Sequence, residues 1–130
     1  MLLSRDAILQ ADDLEYEDVE VPEWGGTVRV RALNGTDRDA YEASLRQLRG
    51  KEFVPNTVNV RAKLVAKAVV GEDGERLFSD QEVSALGKKS AAALDRVFEV
   101  AARLSRISEE DVDDLAGKSG NDPGDDSVSS

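Results

Sequence analysis

Between Val19 and Ala32 apolar and charged residues alternate with period two on both sides of a glycine turn, and nowhere else does the chain do so. Successive side chains of a strand point to opposite faces. The segment therefore reads as a β-hairpin spanning about 16–33, with Val19, Val21, Val28, Val30 and Ala32 on one greasy face. Asp18, Glu20, Arg29 and Arg31 form the other, charged face. Pro22 and Gly25-Gly26 bracket the turn, which calls for a loop of several residues with Trp24, the sole tryptophan, at its tip.

Beyond the hairpin the periodicity is helical. The spacing of Ala40, Tyr41, Leu45 and Leu48 predicts a helix over 36–49, capped by Thr36 and ended near Gly50, with 51–56 as a loop. Further helices are predicted over 57–70, 80–86, 90–106 and 108–116. Ser79-Asp-Gln-Glu82 has the form of a capping box, and Gly71-Glu-Asp-Gly74 that of a turn. Leu94, Val97, Phe98, Ala101 and Leu104 make a core stripe on the longest helix. Ser4 can cap a short leading helix that is free to fray. The expected fold is α+β and mostly helical: an N-terminal β-hairpin followed by a small helical bundle. A single domain over 1–116 then leads into a disordered acidic tail over 117–130, which is too poor in apolar residues to offset its ordering entropy.

The 130 residues contain neither cysteine nor histidine. That removes disulfides, thiolate and imidazole metal ligands, cysteine nucleophiles and histidine general bases. Charge is uneven along the chain. Residues 1–23 and residues 107–130 each carry eight acids and one base, while 24–106 carry fifteen bases and eleven acids. Acidic ends keep a protein dispersed and disfavour nonspecific binding to phosphate backbones. No apolar run nears the roughly 20 residues of a membrane span, and the start lacks the pattern of a secretory signal. A cytoplasmic protein is the expectation.

Several chemical motifs fail on inspection. Setting Gly74 at the central glycine of a calcium loop puts Val69 and Gly71 where carboxylate ligands belong. Neither glycine pair precedes a Lys-Ser/Thr helix start, so there is no phosphate loop. Asp12-Asp13 and Glu109-Glu110-Asp111 are sequence neighbours in solvated segments, and neighbouring acids do not converge on one point of a helix. No catalytic residue, cofactor or metal site is expected, which leaves binding as the mode of action. Trp24, Arg29, Arg31 and Tyr41 are the candidate partner-contacting residues. Trp24 can equally pack over the base of the hairpin, and the two arginines can instead pair with Glu20 or Asp18 across the strands.

This order of elements resembles the small tail assembly chaperones of long-tailed, siphovirus-type bacteriophages and prophages. The resemblance rests on Leu3-Ser-Arg-Asp-Ala-Ile-Leu9, the Val19–Arg31 hairpin, Arg61-Ala-Lys-Leu-Val65, Gly74–Ser79 and Lys89–Ala101. It covers roughly residues 3–106. It implies a non-enzymatic protein that binds the tape measure protein, keeps it soluble and helps recruit tail tube subunits. The tube protein would be reached through a longer, frameshifted form. The same resemblance places it in the cytoplasm of the infected host and outside the mature virion, with no nucleic-acid or membrane partner, and leaves self-association open. A structural head–tail connector or tail completion protein stands as the alternative. A small nucleic-acid-binding regulator would need a basic stripe with interleaved aromatics, and the middle of the chain shows none.

Overall fold

The structure is a computed structural model that describes residues 1–107. The helix expected over 108–116 and the tail over 117–130 lie outside the described residues. The elements run α1 (Arg5–Gln10), β1 (Tyr16–Val21), β2 (Gly26–Arg31), α2 (Gly35–Ser44), β3 (Arg46–Arg49), β4 (Glu52–Pro55), α3 (Val60–Ala68), β5 (Val69–Val70), α4 (Val83–Leu86) and α5 (Ala91–Leu104).

The hairpin forms where the alternation puts it. β1 and β2 are antiparallel, with Val19 opposite Val28 and Asp18 opposite Arg29. Val21 and Val30 are fully buried, whereas Asp18 and Glu20 face out. The connection is a 3-10 turn, Pro22–Trp24, closed by Gly25 at φ +77°, a left-handed conformation that glycine adopts without steric cost. Glu23 on this turn accepts two bonds from the Arg96 guanidinium of α5, at 2.7 and 3.0 Å. Glu17, on the greasy face by register, accepts from Arg103 of the same helix at 2.7 Å. The two pairs flank the apolar contact between the hairpin and α5.

Hydrogen bonding from Arg96, together with a bond at its own backbone, holds the Glu23 carboxyl at about 2, below its ordinary 4.5. A depressed folded value means that the stabilisation is complete above the unfolded value and fades as pH falls from 4.5 through about 2. An acid titration of stability should therefore be shallower over that window for Glu23→Gln than for the parent. Equal slopes would remove Glu23–Arg96 from the set of contacts that respond to acid.

Two differences from the sequence expectation concern the middle of the chain. Helix α2 stops at Ser44, not near Gly50, and residues 46–55 form a second hairpin where continued helix and a loop were predicted. The helical spacing ends at Leu45, which is fully buried, and Gly50 at φ +65° turns the chain back. Leu48 then lies opposite Phe53. Gln47, Leu48 and Arg49 are good helix formers, so local propensity pointed to helix and the turn overrode it. The helix expected over 57–70 is shorter as well. It ends at Ala68, and Val69 and Val70 run out as β5, pairing with Val30 and Arg29. The first sheet thus has three strands in the order β1-β2-β5.

The core lies between this sheet and the helices. Helix α3 is its centre, with Ala62, Leu64, Val65, Ala66 and Ala68 buried. Helix α5 packs along it with Leu94, Val97, Phe98 and Ala101, the stripe read from the sequence. Ser90 Oγ caps α5 by accepting from Ala93 N–H at 3.2 Å. The capping box is present, Ser79 N–H donating to Glu82 Oε1 at 2.8 Å, and it starts a 3-10 turn that passes into α4. Leu33 N–H donates to the buried Ser105 Oγ at 2.9 Å and fixes the exit of β2 against the end of α5.

Candidate partner-binding surface

The structure distributes the four candidate residues over separate environments. Tyr41 is fully buried between α2 and α3, and its hydroxyl donates to the Val60 carbonyl at 3.1 Å. Burial pushes its phenol above the usual range. Tyr41 is a core residue and offers no surface to a partner. Its helical spacing with Leu45 carried the core signal, and its polar tip is satisfied internally.

Arg29 is held in place. Its guanidinium makes two bonds to the Asp18 carboxylate, at 2.8 and 3.1 Å, and stacks 4.4 Å above the Tyr16 ring. Arg31 does not pair with Glu20 or Asp18. It lies opposite Tyr16 in the register, and its Nη1 donates to the Gly74 carbonyl at 2.8 Å, tying the hairpin to the 71–74 turn. Its Nε is buried without a partner among the described residues. Both arginines line one broad cleft with Asp12, Asp13, Glu72 and Asp73.

Trp24 is half-buried. It packs against the core edge and lines a cleft of about 400 Å³ with Phe78, Leu86, Lys88 and Lys89. Its Nε1–H is buried and finds no acceptor among the described residues. The ring packs against the core edge beside Phe78 and Leu86, and the neighbouring cleft is open. Trp24 shares no cleft with the arginines, so the candidates do not converge on one site.

The larger apolar surfaces lie elsewhere. On the β3–β4 ribbon Leu48 and Phe53 stand directly opposite each other, 63% and 72% exposed. A two-stranded ribbon alone is marginal in water, and this one is anchored at its base by the Asn56 N–H donating to the Leu45 carbonyl at 2.8 Å. Helix α1 is capped by Ser4 Oγ, which accepts from Ala7 N–H at 3.1 Å, yet it buries no side chain. Leu3, Ile8 and Leu9 are 63%, 57% and 67% exposed. Grouped exposed apolar side chains mark interaction surfaces, whereas scattered ones are ordinary. The ribbon was missed because the signal for it, Gly50-Lys51 between two four-residue runs, is weaker than the helical spacing that precedes it.

Among the described residues no group of three or more acidic side chains is placed to hold a metal ion. Nor is any described helix long and apolar enough to cross a membrane. The arrangement offers apolar surface, charge and open clefts, which are the means of a binding protein.

Comparison with known proteins gives two findings. A family profile described as phage tail assembly chaperone matches residues 4–118. The fold is similar to the solved structure of the bacteriophage HK97 tail assembly chaperone, with a TM-score of 0.56 and 17% identity over 80% of this chain and 95% of that one. No curated protein matches the chain.

Proposed function

Because the chain belongs to the phage tail assembly chaperone family, we propose that it binds the tape measure protein of its phage, keeps it soluble and helps recruit tail tube subunits around it. The observation that carries this reading is the exposed apolar surface of the β3–β4 ribbon and of α1 on a chain of this family. An elongated helical partner with apolar stripes needs cover before its tube exists, and a small domain can supply that cover by laying apolar side chains along a helix. The net charge of −10 keeps the pair dispersed. A longer, frameshifted form would bring in the tube protein. The proposal also places its action in the host cytoplasm, with release before the virion is finished.

Co-expression with the tape measure protein of the same genome tests it directly. A co-purifying complex and a rise in soluble tape measure protein are expected. Failure to form the complex, or recovery of this chain in finished virions at ring stoichiometry, would overturn the reading. The second outcome would favour a connector.

A further inference from the structure

Lys63 and Lys67 lie one turn apart on α3 and line the same cleft, about 350 Å³, with Ser44, Asn56, Asn59 and Ser84. Lys67 is 6% exposed, rare burial for an ammonium group. Its Nζ makes only long contacts, 3.3 and 3.4 Å, to the two carboxylate oxygens of Asp80. Asp80 also accepts a shorter bond, 2.9 Å, from Arg76. One carboxylate therefore serves two cations, and it is itself largely solvated.

Lys63 has no carboxylate partner among the described residues. Its Nζ donates to the Ser44 carbonyl at the end of α2, at 2.8 Å. Burial alone lowers its pKa, so holding the charge there is costly. The cleft lining holds two cations, Lys63 and Lys67, against one carboxylate, Asp80, which leaves an excess of positive charge in a partly desolvated setting. An entering carboxylate would relieve that excess with charge-assisted hydrogen bonds.

Asn59 is held at φ +57°, and its side chain fills the space beside Gly87, where any Cβ would collide with Asn59 Oδ1. Val58 and Val83 add apolar wall beside the polar groups. The combination suits an acidic side chain flanked by apolar ones.

We propose that the cleft between the end of α2, the 56–59 loop, α3 and α4 binds a carboxylate, presented as an Asp or Glu side chain by a partner polypeptide. The site stands apart from the tape measure reading, because it depends on cleft chemistry and not on which protein carries the acid.

The probe is an acetylated, amidated Leu-Glu-Leu-Leu peptide, with its glutamine counterpart and acetate alone as controls. Binding is read on the full chain from the Hε–Cε signals of its lysines by NMR. The glutamate peptide should shift Lys63 and Lys67 while leaving Lys88 and Lys89 unmoved. The glutamine peptide should bind about tenfold more weakly, as expected for losing hydrogen bonds to a charged group. Lys63→Gln should weaken the glutamate peptide to a similar degree, and Lys88→Gln should change nothing. Lys67→Met risks the fold, so the wild-type spectra and Lys63→Gln carry the decision. Silence at Lys63 and Lys67, equal affinity for both peptides, or the same response to acetate at the same concentration would each overturn the proposal. The last outcome would mean a nonspecific anion site.

Discussion

Trimming Leu64 to alanine should lower the unfolding free energy by about 3 kcal/mol, the middle of the range for a leucine deleted from a packed core. Leu64 is fully buried on α3, the helix that meets α2, α4 and α5. The loss is part transfer free energy and part cavity, because neighbours fixed by the sheet and by α5 relax only partly into the space. In a thermal melt this corresponds to a fall of roughly 10–15 °C. A change under about 1 kcal/mol, within the scatter of surface substitutions, would mean that α3 is not the centre of the core. The reading of Tyr41 as a core residue would then weaken too, since its hydroxyl rests on the first carbonyl of α3.

The second large effect is functional and should leave stability nearly untouched. Replacing Leu48 and Phe53 together by serine removes the apolar pair from the β3–β4 ribbon, where both side chains already stand in solvent. Surface changes of this kind usually shift stability by less than about 0.5 kcal/mol. If the ribbon is the principal anchor for the tape measure protein, binding should weaken by about thirtyfold or more, the size expected for a lost hot spot at an interface. Pull-down from co-expressing cells, paired with a melt of the isolated variant, measures both quantities. Undiminished binding by a folded variant would move the contact to α1 or to the cleft beside Trp24. A cooperative loss of folding would show that the ribbon has a structural role its exposure does not reveal.

How much of the fold was legible in the sequence depended on how local each signal was. The hairpin, the capping box, the 71–74 turn and the stripe on α5 each arise from residues a few positions apart. Their chemistry is decided by backbone sterics and by periodic burial. The second hairpin was illegible for a related reason. Gln47-Leu48-Arg49 favour helix locally, and only the pairing with Glu52–Pro55 across Gly50 and Lys51 tips the balance. Strand β5 is a similar case. Val69 and Val70 complete a helical pattern on paper, yet β2 supplies a free edge for them to join.

The candidate surface was less legible than the fold. Trp24, Arg29, Arg31 and Tyr41 were singled out by residue type, and type does not say what lies next to a side chain. Arg31 found the Gly74 carbonyl, 43 residues away, instead of a cross-strand acid. Tyr41 found the Val60 carbonyl and left the surface altogether. Leu48 and Phe53, by contrast, resemble ordinary core residues until the ribbon lifts both into solvent.

By itself the sequence determined the α+β class, the site of the first hairpin, the caps at Ser4, Ser79 and Ser90 and the absence of cysteine and histidine chemistry, whereas the cap expected at Thr36 belongs to Asn34, whose side chain accepts from the Asp37 N–H. These depend on composition and on spacings of two to four residues. Only the tertiary structure decided which apolar residues are buried, which cations share Asp80, and where α2 and α3 end. Those outcomes are set by contacts between segments far apart in the chain, whose energies exceed the few tenths of a kcal/mol per residue by which most local propensities differ.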